Sequence, residues 1–311
     1  MFSKRLFLWM FFVVLLIALP PLVIALGQPF YIDLVRRIMI LAIAAVSLNL
    51  ILGYGGLVSF GHAAYLGLGA YAVGILAFYG VTNGWLQWAA AIGVSAIVAA
   101  AIGAVSIRTS GIYFIMITLA FTQMLYYLGI SLEEFGGDDG MRLKNKSDFG
   151  ALIDLRDPVA FYYLALAVML LSVFLVYRLA NSRFGMVLRA AKSNEARTRA
   201  IGFSPYPYRL AAFVIAGAMC GLAGALYANH TNYLTPGLVS WQQSGDLMFM
   251  VILGGMASTA GPVLGTFALL LVEETLKGWT EHWQVVLGPL LVLSVIFFRR
   301  GLAGMFYKSD A

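Results

Sequence analysis

ANSRFGMVLRAAKSNEARTRAIGFSP, residues 180–205, is a basic, helix-prone segment lodged between two strongly apolar ones. From Arg178 to Arg209 seven Lys or Arg stand against one acid, Glu195, so this window holds the whole net charge of +6. Lys and Arg beside an apolar span resist translocation and mark the cytoplasmic side. Ser193 or Asn194 can cap a short helix there, Glu195 falls in its first turn, and Gly202 with Pro205 supplies a stop, which predicts a helix over 194–201.

The flanking composition fixes the class. Hydrophobic residues make up 61% and charged residues 11% of 311 positions, whereas about a quarter of a soluble globule is charged. Apolar runs of about 20 residues suit a hydrocarbon layer about 30 Å thick. Alternating ten-residue strands are absent, so the expectation is an all-α integral membrane protein, a polytopic helical bundle, and not an outer-membrane barrel. The single Cys220 allows no internal disulfide. The positive charge reads as topology, with no nucleic-acid partner implied.

Working outward, Leu6 to Leu26 reads as a retained first span rather than a signal peptide ending at Ala25-Leu26-Gly27, which puts the N-terminus in the cytoplasm. Further spans are expected at Val35–Leu52, His62–Tyr79, Trp85–Ile107, Ile112–Ile130, Val159–Leu179 and Tyr208–Ala228. Arg36 and Arg37, at an external helix start, violate the charge rule unless they snorkel. Residues 131–157, with seven acids and four bases, form an external loop, and 180–205 a cytoplasmic loop, within one transmembrane domain over 1–311. Two short apolar pieces, 246–258 and 262–276, precede a last one at Gln284–Phe298. Ten spans with both termini cytoplasmic satisfy the charge rule best, and eight with a re-entrant hairpin at 246–276 is the alternative.

Polar groups in apolar spans are expensive and usually face protein or water, which makes His62, Gln123 and Asn49 candidates for a pathway or for interhelical hydrogen bonds. Glu273 and Glu274 are similar candidates, or else lie at an external helix end. Two glycine-broken stretches resemble each other: Gly55-Gly56-Leu57-Val58-Ser59 with Gly67, and Gly254-Gly255-Met256-Ala257-Ser258 with Gly265. Such pairs point to an internal repeat around a central pathway, or to close helix packing. His62, His230 and His282 are scattered, and neither a nucleophile motif nor a phosphate loop occurs, so no catalytic residue, metal site, bound cofactor or ATPase is expected in this chain. On residue chemistry alone the basic loop suits either docking to a soluble partner or binding of anionic headgroups of membrane lipid.

Arg189-Ala190-Ala191-Lys192-Ser193-Asn194-Glu195-Ala196, continuing through Arg199-Ala200-Ile201-Gly202, resembles the cytoplasmic signature of bacterial branched-chain amino acid ABC permeases. Ser47-Leu48-Asn49-Leu50, Gly53-Tyr54-Gly55-Gly56, Ser59-Phe60-Gly61-His62, Arg108 to Phe114 and Gly261 to Gly265 extend the likeness over nearly the whole chain, in the order of a LivM-type subunit. The resemblance implies an inner-membrane importer with a second, LivH-type permease, two cytoplasmic ATP-binding subunits that carry ATP and Mg, and an external substrate-binding protein. It implies ATPase coupling through Arg189, Asn194, Glu195, Ala196, Arg197, Arg199, Ala200 and Gly202. It leaves urea, short amides and aromatic acids as alternative substrates to branched-chain amino acids. An ion-gradient-driven secondary transporter using His62 or Glu273-Glu274 is the rival reading.

Overall fold

The computed structural model describes residues 4–150, 153–297 and 301–305. Its helices are α1 (Lys4–Ala25), α2 (Phe30–Asn49), α3 (His62–Phe78), α4 (Gly84–Ser106), α5 (Ile112–Ser131), α6 (Pro158–Ala180), α7 (Arg183–Ser193), α8 (Glu195–Ala200), α9 (Pro205–Thr231), α10 (Trp241–Gly254), α11 (Gly261–Trp279), α12 (Trp283–Phe297) and α13 (Gly301–Met305). Local chemistry starts them where it should. Asn83 Oδ1 accepts from the amides of Trp85 and Leu86 at the head of α4. Asp157 does the same for Val159 ahead of Pro158 in α6, and Ser240 for Gln243 in α10.

Helix α2 is the axis. A five-residue π-helical turn, Leu50–Tyr54, prolongs it, and 94% of its apolar window is buried, against 17% for α5. Around it pack α6, α9, α10 and α11, while α3, α4 and α9 form a tight triplet to one side. The triplet closes because glycines remove side chains where backbones meet. A Cβ on Gly69 would lie 2.0 Å from the Gly221 carbonyl oxygen, and one on Gly224 would lie 2.0 Å from that of Leu66.

Among the described residues, five helices are long and apolar enough to cross a membrane: α2 with its extension, α4, α5, α6 and α9. Further apolar helical stretches among the described residues are Trp9–Ala25 within α1, His62–Phe78 as α3 and Trp283–Leu293 within α12. The long helices match the sequence expectation within a few residues. The piece expected at 246–258 begins earlier, at Trp241, and ends at Gly254. At 14 residues α10 spans about 21 Å at 1.5 Å per residue, short of a hydrocarbon core.

The helical bundle carries one short strand pairing outside its helices: Met141 and Arg142 of the 131–157 loop pair antiparallel with Leu234 and Tyr233. The same loop is pinned by Ser147, whose amide donates to Asn229 Oδ1 at 2.8 Å and whose hydroxyl donates to Gln87. The two arginines that break the charge rule do not merely snorkel. Arg36 is buried, bound to Asp33, donates to His230 Nδ1 at 3.0 Å and lies 4.7 Å over the Phe161 ring. Arg37 pairs with Glu273 at 3.9 Å, and Glu273 also holds Lys277. Charges thus offset one another within the protein.

Gly69→Val should destabilise the fold by about 3 kcal/mol, since its methyls meet backbone that cannot yield. Gly93→Ala in α4, where a Cβ meets nothing within 4 Å, should be neutral or stabilising by about 0.5 kcal/mol. Thermal melting of the two variants in detergent checks both.

Candidate transport pathway and coupling site

The break between α2 and α3 is where the polar residues collect. After Tyr54 the helix closes with bonds from the Gly55 and Gly56 amides to the Leu52 carbonyl and from the Leu57 amide to that of Ile51. From Val58 to Gly61 the chain is irregular, so its backbone groups must find other partners inside an apolar bundle. Side chains supply them. Thr118 Oγ1 accepts from the Phe60 amide, Thr122 Oγ1 donates to the Phe60 carbonyl, Ser59 Oγ accepts from the Gly61 amide, and Ser244 of α10 accepts from the Ala63 amide at 3.0 Å.

His62 opens α3 fully buried, with Nε2 2.8 Å from Ser47 Oγ. Ser47 Oγ also lies 2.7 Å from the Ala44 carbonyl, and His62 Nδ1 is buried without a partner among the described residues. Cys220 Sγ of α9 reaches the His62 carbonyl at 3.5 Å. Of the expected pathway residues, Ser59 and His62 belong to this layer. Gln123 stands next to Thr122, half-buried, and makes no hydrogen bond among the described residues.

A second knot lies at the far end of α2. Asn49 Oδ1 accepts from the Ala257 amide at 3.0 Å and its Nδ2 donates to the Ser258 carbonyl at 2.9 Å, while Ser258 Oγ accepts from the Gly261 amide. Gly254 admits the Gly261 carbonyl, which a Cβ would meet at 1.9 Å, and Gly255 turns at φ +112. Gly55 lies against the Ile51 carbonyl, and Gly56, at φ +70, rests on the stem of Lys192. Lys192 Nζ donates to the Gly53 carbonyl at 2.7 Å. Residues just before the first glycine-broken stretch meet the second: a Cβ on Gly53 would lie 2.5 Å from the Ala257 amide nitrogen, and Tyr54 Oη lies 3.4 Å from Thr259 Oγ1. Val239, in the segment 232–240, packs on Gly67 of α3.

The basic segment folds as two helices. Ser182 caps α7, Asn194 Oδ1 accepts from the Arg197 amide at 2.9 Å to cap α8, and Gly202 ends it at φ +92. Glu195 is held by Arg209 at 2.7 Å and Arg199 at 2.5 Å, and Arg209 also donates to the Ala191 carbonyl. Partial burial pushes the Glu195 carboxyl up, but the bonds from Arg209 and Arg199 outweigh it and leave the group below its ordinary value. Thr198 is buried, whereas Ala196, Arg197, Arg199 and Ala200 face outward, and Arg189 lies exposed on α7. The residues that sequence reasoning passed over are Lys192, Thr118, Thr122 and Ser244. Lys192 sits in the basic loop far along the chain from Gly53, so no sequence signal announced that bond.

Residues 30–295 match the family described as "Branched-chain amino acid transport system / permease component". The LivM permease of the high-affinity branched-chain amino acid transport system of Salmonella typhimurium is 30% identical, over 91% of this chain and 73% of its own length. The corresponding LivM of Escherichia coli K12 is 29% identical over the same shares. LivH of Escherichia coli K12 is 23% identical over 85% of this chain and 91% of its own. No solved structure matches the chain. With most of its helical bundle matched, the chain belongs to the branched-chain amino acid transport permease family.

Proposed function

We propose that this multi-pass membrane protein is one of two permease subunits of an ATP-driven importer for branched-chain amino acids in a bacterial inner membrane. A second, LivH-type permease would complete the pathway, two cytoplasmic subunits that bind ATP and Mg themselves would supply the energy, one of them docked on the α7–α8 face, and an external binding protein would deliver substrate. Ten crossings, α1 to α6 and α9 to α12, with both termini cytoplasmic, fit the alternation of helix ends. In that arrangement α3 and α10 are short because each starts inside the membrane, from the breaks at 55–61 and 232–240.

The observation that carries the reading is the bond from Lys192 to the Gly53 carbonyl, since it ties the basic helices directly to the broken span. A push on the outward face of α8, made by Ala196, Arg197 and Ala200, would pass through α7 to the α2 extension and the layer at His62. Glu195 and Arg209 would keep α8 in register with α9, so Glu195 acts within the chain rather than on the partner. Glu273 is committed to Arg37 and Lys277, which offers nothing to a gradient-driven mechanism.

Purifying the tagged chain in mild detergent should recover a second permease and ATP-binding subunits by mass spectrometry. A chain recovered alone that still performs gradient-driven uptake would sink the importer reading. Ala196→Glu and Ala200→Glu should abolish uptake in the assembled transporter, with normal uptake in both removing the docking face. Lys192→Met should lower uptake per ATP hydrolysed by about tenfold, the scale of one hydrogen bond to a charged group.

A carboxyl whose folded pKa is depressed contributes stability that is full at neutral pH and lost as pH falls through the carboxylate range. Hydrogen exchange of residues 195–201 should therefore show wild-type protection falling on acidification, while Glu195→Gln is less protected at neutral pH and insensitive to the change.

A further inference from the structure

The α4–α5 turn and the α8–α9 junction enclose a cavity of about 340 Å³, lined by Ile107, Arg108, Thr109, Ser110, Glu195, Arg199, Tyr206 and Arg209. That volume is within the range of small-ligand sites. Its charge is unbalanced: three guanidinium groups face one carboxylate, and Glu195 already spends both oxygens on Arg199 and Arg209. Arg209 Nε is buried and has no hydrogen-bond partner among the described residues. Arg108 is exposed and has no ion pair or hydrogen bond among the described residues, and neither does the Ser110 side chain. The fixed wall is rigid, since Tyr206 donates to the Ala104 carbonyl at 3.0 Å and Thr109 to that of Ser106 at 2.8 Å.

We infer that this cavity is a binding site for a phosphate anion, taken between Arg108, Arg199 and Arg209 with Ser110 as a neutral donor. Guanidinium forks match phosphate oxygens, and the anion would offset part of the surplus positive charge. Phosphate reaches such a site as a lipid headgroup or as the free ion. The collar argues for the lipid. Ile112 and Tyr113, directly after Ser110, are 68% and 73% exposed, and Ile201 is 65% exposed after α8, which gives acyl chains an apolar surface beside the charges. The site stands independently of the importer reading, because its occupancy is read on this chain alone.

Native mass spectrometry of the full chain in mild detergent, titrated with phosphatidylglycerol, with phosphatidylcholine and with inorganic phosphate, tests it. Phosphatidylglycerol should bind in preference to phosphatidylcholine, and Arg108→Gln should cut its occupancy about fivefold, the effect of about 1 kcal/mol per basic side chain near an anionic surface. Arg183→Gln, which removes an exposed charge from α7, should not. Arg108 is exposed, so this variant is expected to fold, and an unchanged melting temperature in lipid-free detergent confirms that. Inorganic phosphate that raises the wild-type melting temperature but not that of Arg108→Gln, without lipid selectivity, would assign the site to the free ion. If Arg108→Gln and Arg183→Gln behave alike toward both ligands, the site is overturned.

Discussion

Everything in this bundle depends on satisfying the backbone where α2 and α3 are interrupted. Amides and carbonyls left open in an apolar interior cost free energy each, so a break is tolerated only where side chains stand in for the missing helical bonds. Thr118, Thr122 and Ser244 do this from α5 and α10, and Asn49 does it for the 256–258 loop. These bonds fix which helices surround α2. They also explain why a helix as exposed as α5 still presents two buried threonines to the centre.

The second determinant is close approach. The α9 glycines at 221 and 224 let α3 and α4 come within backbone contact on both sides, since a Cβ at Gly221 would lie 2.2 Å from Ser95 Oγ. In lipid this packing replaces the hydrophobic effect that holds soluble helices together. Tight contact here and hydrogen-bonded breaks nearby leave a bundle rigid along α9 and interrupted along α2. That contrast supports movement at the break rather than in the triplet.

Much of this was legible in the residues. Long apolar runs place α2, α4, α5, α6 and α9, because hydrocarbon thickness sets their length directly. Asn194, Glu195 and Gly202 announce α8, because capping and termination are local. His62 and Asn49 stand out as polar groups in apolar runs, though their hydrogen bonds to Ser47 and to residues 257 and 258 depend on tertiary contacts. The two glycine-broken stretches were visible as such, but what each glycine admits, the stem of Lys192 at Gly56 and the Gly261 carbonyl at Gly254, depends on tertiary contacts. Arg36 and Arg37 were unaccountable in sequence because Glu273 and His230, which face them, lie about two hundred residues away.

The contact between Asn49 and Ala257 joins residues 208 positions apart. During synthesis α2 and its extension enter the membrane long before α10 exists, so the break at 55–61 spends that interval without Ser244 and without the loop that Asn49 grips. Non-local closure of this kind is slow and leaves unpaired backbone exposed meanwhile. The break in the N-terminal half therefore reaches its full set of partners only once the C-terminal half is in place.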